Sequence, residues 1–138
     1  MILLDSNVIS ALMRPDPDGK VLAWFDRQPR SSIWTTSLTV FEIQFGLQIM
    51  PAGKKRDALL AEMVFFLDRI EHRVAPFDEE AARHAAELMA LRQKRGRPVE
   101  LRDTMIAGIV LSRHAALATR NVDRFDDLSA SILNPWAA

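Results

Sequence analysis

The 138-residue chain contains no cysteine. That removes disulfides and thiolate metal sites, and predicts a protein of a reducing cytosol. It also has no excess of charge, with eighteen basic residues set against eighteen acidic ones. No global field draws it to a polyanion, so a nucleic-acid partner must be held by a local patch. No apolar run approaches the ~20 residues that span a bilayer, and the short apolar start lacks the basic region of a secretion signal. These absences predict a soluble, cytoplasmic protein with no membrane partner. The three histidines, His72, His84 and His114, are scattered and form no i, i+4 metal-binding pair. There is no P-loop, no GxGxxG, no internal repeat and no linker-like tract. What is present, 49% hydrophobic and 26% charged residues, has the balance of a globular chain. Its length suits one domain over residues 1–138.

Strand and helix patterns alternate along the chain. Met1–Leu4 has no polar residue on either face, as in a strand covered on both sides of a parallel sheet. Residues 7–14 and 19–28 read as short helices parted by the breaker "PDPDG". Residues 31–37, β-branched and carrying Trp34, read as a second strand, and 38–50 and about 55–71 as helices. A brief third strand at 73–77 precedes a helix at 78–96, which begins on acids, ends on bases and stops at Gly96. A helix at 100–114, a strand at 115–119, a helical turn at 121–128 and a last strand at 130–135 complete the chain. The alternation predicts an α/β domain with a mostly parallel sheet of about five strands. The helices around "VISALM" and "VLAWF" are more apolar than one small sheet requires. Their excess forms either a thick core or a docking surface.

Most acids in such a chain lie on solvated faces, but three do not fit that description. Asp5 ends the first strand, at the edge where open α/β sheets gather their chemistry. Glu42 aligns with Leu38, Phe45 and Ile49, and Asp103 with Ile106, Ala107 and Val110, so both point along stripes expected to face the sheet. Each has a structural explanation. Asp5 or Ser6 can cap the following helix, Thr39-x-x-Glu42 matches a capping box, and Asp103 in a first turn suits the helix dipole. Yet all three carboxylates would stand at one sheet edge. Converging acids repel, and a cation between them relieves the repulsion. A hard divalent ion with oxygen ligands, Mg²⁺ or Mn²⁺, fits a set without thiols or paired histidines.

"MILLDSNVIS", "TVFEIQFG", "RDTMIAG" and "ATRNVDRF", in this order and spacing, resemble the PIN-domain ribonucleases, closest to the VapC and FitB toxins of bacterial toxin–antitoxin pairs. The resemblance covers essentially the whole chain, down to "LNPW". It implies a three-layer α/β/α sandwich and a Mg²⁺-dependent endoribonuclease whose acidic cluster is Asp5, Glu42 and Asp103. It also implies a homodimer silenced by a small cognate antitoxin, with DNA reached only through that antitoxin. One departure stands out: where the family often has a fourth acid after "TR", this chain has Asn121, with Asp123 two residues on. That weakens a second metal more than a first. On this reading Asp5 and Asp103 are the main metal ligands and Glu42 completes the set, with Ser6 bonding a carboxylate or phosphate.

RNA would then be held by basic residues leading into the site: Arg92, Lys94, Arg95, Arg97 and Arg102, with Lys54, Lys55 and Arg56 as a second cluster. An ordinary basic helix end accounts for the first cluster equally well. Trp24, Trp34 and Trp136 read as core or interface rather than base-stacking platforms. A haloacid-dehalogenase-like phosphatase also begins with a strand ending in a nucleophilic Asp. It wants a second Asp at Asn7 and a late lysine, whereas the last lysine here is Lys94. A receiver domain fails on the same features. A catalytically inactive binding module is the remaining alternative.

Overall fold

Leu3 and Leu4 are both fully buried, and they belong to different cores. Adjacent strand residues point to opposite faces, so a strand inside a three-layer sandwich feeds one layer with each. The computed structural model describes residues 1–138. Five strands, β1 (Ile2–Leu4), β2 (Ile33–Thr36), β3 (Val74–Ala75), β4 (Ala116–Ala118) and β5 (Ile132–Leu133), form one sheet in the order β3-β2-β1-β4-β5. Every pairing is parallel. The sequence predicts a mostly parallel α/β/α sandwich of about five strands, and that is the fold.

The helices are α1 (Ser6–Met13), α2 (Gly19–Arg27), α3 (Ser37–Gln48), α4 (Lys54–Arg69), α5 (Glu79–Lys94) and α6 (Leu101–Ser112). Two short 3-10 turns lie at Arg30–Ser32 and Val122–Phe125. One core joins Leu4, Ile33 and Ala118 to Val8, Ile9, Val21, Trp24, Phe25, Ile43, Leu47, Met63 and Phe66, so α1 to α4 cover one face. The other joins Leu3 and Leu117 to Ala81, Leu88, Ile106 and Ile109, so α5 and α6 cover the opposite face. The apolar excess of α1 and α2 is thus a thick core rather than a docking surface. No helix is long and apolar enough to cross a membrane.

The outer strands are shorter than the sequence pattern predicts: two residues each, where 73–77 and 130–135 were expected. Pairing needs a neighbour, and each edge strand has one on a single side only. Glu71 and His72 take positive φ of 54° and 53°, which ends the α4 segment two residues short of the expected boundary. Helix α6 is buried around most of its circumference from Ile106 to Val110. Its contact with α5 relies on Gly108, where a Cβ would meet the Ala81 carbonyl oxygen and sit 2.8 Å from the Ala85 Cβ.

The predicted face of α3 is corrected. Phe45 and Ile49, expected to face the sheet with Glu42, are 54% and 68% exposed. The stripe that does so is Thr39, Ile43 and Leu47. Helix α3 is apolar on several sides, so periodicity alone could not choose among them. Glu42 consequently lies at the border of the core, half-buried.

Candidate active site

The register β1–β4 pairs Leu4 with Ala118, and β1–β2 pairs Leu4 with Thr35. The residues that follow, Asp5, Thr119 and Thr36, therefore stand side by side at the carboxyl edge of the sheet, where such folds collect ligands. Asp5 is buried at 6% exposure and carries two fixed bonds. Its Oδ1 accepts from the Ser6 N–H at 2.8 Å, and its Oδ2 accepts from Thr119 Oγ1 at 2.8 Å. Asp5 is thus the N-cap of α1, and the cap reading holds for it. A carboxylate offers about four acceptor positions, so two hydrogen bonds orient Asp5 without exhausting it.

Glu42 is not a cap, and Asp103 stands in the first turn of α6, where a carboxylate suits the helix dipole as expected, without being its N-cap. Helix α3 is capped by Thr36, whose Oγ1 accepts from the Thr39 N–H at 3.0 Å, and this leaves the Thr39–Glu42 capping box unformed. Helix α6 is capped by Glu100, whose Oε2 accepts from the Asp103 N–H at 2.7 Å. The side chains of Glu42 and Asp103 are left to face arginines. Arg102 Nη1 lies 3.8 Å from Glu42 Oε2, and Arg124 Nη1 donates to Asp103 Oδ2 at 3.3 Å.

These acids share one field. Burial pushes the Glu42 carboxyl above the usual carboxylate range; the negative charges of Asp5, Asp103 and Glu100 push the same way, and Arg102 partly offsets them. Burial also raises Asp103, with Glu100 and Asp5 adding and Arg124 opposing. The site therefore holds more negative charge than its arginines neutralise. Glu100, absent from the sequence-predicted set, belongs to this field. The donor set is all oxygen and electron-rich, and fits a hard divalent cation. No three acidic or histidine side chains are arranged to hold one ion together, and Glu42 and Asp103 each face an arginine.

The remaining predicted residues fall in different places. Ser6 lines a cleft of about 460 Å³ with Glu42 and Arg102. Asn121 is exposed and makes no side-chain cap bond; its N–H donates to Thr119 Oγ1 at 3.0 Å and its carbonyl accepts from the Arg124 N–H at 3.1 Å. Asp123 is exposed on a second cleft, of about 480 Å³, beside Asp103 and Arg124. Lys94 and Arg95 are exposed. Arg97 bonds Asp126 at 2.8 Å and the Asp123 carbonyl at 2.9 Å.

Arg92 differs from the expectation of a phosphate contact. It is 3% exposed, and it grips Asp127 with two bonds of 2.8 Å. It also donates to the Arg124 carbonyl at 3.0 Å and to Thr104 Oγ1 at 3.3 Å. Its guanidinium is structural, tying α5 to the turn that carries Arg124.

Asn7, where a phosphatase would need an acid, instead accepts from the Arg120 N–H at 3.1 Å. His84 and His114 line a separate cleft with Met1 at the amino-terminal edge of the sheet, and His72 pairs with Asp68 at 2.8 Å. Trp24 is buried, while Trp34 and Trp136 each pack against one of the two cores.

Sequence reasoning missed three residues at the site: Thr119, Arg124 and Glu100. Thr119 was findable only once β1 and β4 were known to be neighbours. Arg124 had no signal, since a basic residue in an acidic turn reads as surface.

Comparison with known proteins places this arrangement. Residues 2–130 match the family model described as the PIN domain. The chain is 39% identical over 140 aligned residues to "VapC ribonuclease Y4jK" of Sinorhizobium fredii, covering 99% of this chain and 98% of that protein. It superposes on the crystal structure of FitAcB from Neisseria gonorrhoeae with a TM-score of 0.91 and 31% identity, covering 100% of both chains. A structure of FitAB bound to a DNA fragment gives 0.89 at the same 31% identity, over 99% of this chain and 96% of that one. With its fold, its acid-bearing sheet edge and these likenesses over its whole length, the chain belongs to the PIN-domain family, in the branch of the VapC and FitB toxins.

Proposed function

We propose that the protein is a Mg²⁺-dependent endoribonuclease, the toxin of a toxin–antitoxin pair, with Mn²⁺ as an alternative ion. Asp5 and Asp103 would be the main metal ligands, and Glu42 would complete the set directly or through water. This requires their side chains to turn from the arrangement seen here, in which Glu42 faces Arg102 and Asp103 faces Arg124. The observation that carries this reading is that Glu42 and Asp103, neither of them the N-cap of its helix, lie within the field of the buried Asp5 at the carboxyl edge of the sheet. When bound, the ion would polarise the scissile phosphodiester and favour ionisation of the attacking water. Thr119 and the Ser6 N–H orient Asp5. Alternatively, Glu42 would orient the attacking water as base rather than bind the ion. The water oxygen bonds to phosphorus, the P–O ester bond breaks, and the leaving oxygen takes a proton from solvent. Ser6 and Arg102 border the same cleft as Glu42 and would contact phosphate, and the exposed Lys94 and Arg95 would add positive charge.

A protein partner accords with the exposed apolar side chains of α3 and α4. Phe41 and Phe45 of α3, Ile49 at its C-terminal cap, and Val64 and Phe65 of α4 are each more than half exposed. Phe41 and Phe45 stack on each other with centroids 6.3 Å apart. Such patches mark interaction surfaces, here for a second copy of the chain and for a small antitoxin, through which alone DNA is reached. The setting is cytoplasmic.

The test is cleavage of a mixed cellular RNA pool by purified, antitoxin-free protein, with Mg²⁺, with chelator, and with Asp103→Asn protein. Cleavage should require the ion, and Asp103→Asn should lower it at least roughly hundredfold. Metal-independent cleavage, or full activity of Asp103→Asn, would overturn the reading.

A further inference from the structure

Among the arginines around the acidic site, one is set apart by how it is held. Arg92 is locked in the interior, and Arg97 is spent on Asp126 and the Asp123 carbonyl. Arg124 has a fixed backbone and a free tip. Its carbonyl is gripped by Arg92, its N–H donates to the Asn121 carbonyl at 3.1 Å, and the next residue, Phe125, is fully buried. Its side chain is 58% exposed and makes one side-chain bond, of 3.3 Å, to Asp103. Arg124 lines a cleft of about 480 Å³ with Asp103, Glu100, Asp123 and Arg97.

We propose that Arg124 is a substrate-binding residue that presents a permanent positive charge beside Asp103 to a phosphodiester oxygen of the RNA. The proposal rests on the nuclease reading. Charge balance supports it. Asp5, Glu42, Asp103 and Glu100 carry four formal negative charges against the one positive charge of Arg102, and one divalent ion still leaves this cluster one charge negative, which would repel a phosphate. A second divalent ion on the Asp103 side would have to share that side with the guanidinium already there. Arg124 supplies cationic charge at that place without a second metal. A guanidinium has five N–H donors in a planar fork suited to phosphate. Four of those of Arg124 make no bond within the protein. The Arg124 end of the 3.3 Å contact is 58% exposed and the Asp103 end 14%, and the unused donors can take a phosphate while that contact is kept. The Arg92 grip on the Arg124 backbone positions the charge in advance of binding.

The test uses Arg124→Ala and Arg124→Lys beside the unaltered protein. Binding of a fluorescent single-stranded RNA of mixed sequence is measured in chelator over a range of salt, and Mn²⁺ affinity is measured by titration without RNA. Arg124→Ala should weaken RNA binding roughly tenfold and lower the salt slope by about 0.7, the value of one phosphate contact on a single strand. Its Mn²⁺ affinity should rise, since the competing cation is gone. Arg124→Lys should keep the salt slope and recover only part of the affinity. If Arg124→Ala raises Mn²⁺ affinity but leaves RNA affinity and salt slope unchanged, Arg124 is only a counter-ion to Asp103 and the proposal falls. If the unaltered protein binds neither RNA nor Mn²⁺, the nuclease reading itself fails, and the proposal with it.

Discussion

Replacing Arg92 by alanine separates a phosphate contact from a structural ion pair. Arg92 and Asp127 are 3% and 13% exposed, and their bidentate bonds are both 2.8 Å. The pairing holds the Asp127 carboxyl below the usual carboxylate range, chiefly through the Arg92 hydrogen bond. Removing the guanidinium leaves a nearly buried carboxylate with only Arg97, 3.8 Å away, as counter-charge, and leaves the Arg124 carbonyl without its side-chain donor. Breaking a buried pair from one side costs about 3–5 kcal/mol. For 138 residues the unfolding entropy near the midpoint is about 0.3 kcal/mol/K, so Tm should fall by about 10–15 °C. Thermal and urea unfolding without metal would measure it. The double variant Arg92→Met/Asp127→Leu should recover most of the loss, because it removes the stranded charge. By contrast, Lys94→Ala and Arg95→Ala, both on exposed side chains, should stay within about 0.5 kcal/mol of the parent. An Arg92→Ala protein with unchanged Tm but weakened RNA binding would refute the structural assignment.

Three further outcomes follow from the geometry. Because burial and neighbouring acids raise the folded pKa of Glu42 above its unfolded value, the folded state binds the extra proton, and metal-free stability falls as pH rises through that window. Glu42→Gln should therefore raise metal-free stability at pH 7 by about 0.5–2 kcal/mol, while saturating Mg²⁺ should stabilise the parent more than the variant; calorimetry at two pH values tests both. Gly108→Ala should cost about 1–3 kcal/mol through overpacking of α6 on α5, read as a lower urea midpoint, and an unchanged midpoint would show that the helices can part at no cost. Phe45→Glu, on an exposed face of α3, should leave the monomer fold intact and shift light-scattering mass toward monomer or abolish antitoxin capture; retention of both would remove α3 from the interface.

Much of this molecule is written locally. An unbroken apolar run before Asp5 specifies a strand buried on both faces, and the register of hydrophobic and helix-forming stretches specifies the α/β alternation, because each element needs only its own pattern to be recognised. The three acids were legible for the same reason: each departs from the pattern of its own element. What each acid does depended on neighbours remote in sequence. Only the tertiary structure brought Thr119 beside Asp5 across a parallel register, and gave the caps of α3 and α6 to Thr36 and Glu100, which leaves Glu42 and Asp103 free. It also divided a run of similar arginines into one buried strut and several exposed cations, and put Arg124, 21 residues further on, against Asp103. Hydropathy period and helix propensity act within a turn or two of chain. Burial, ion pairing and pKa depend on which distant groups share a volume, and that is decided only when the sheet closes.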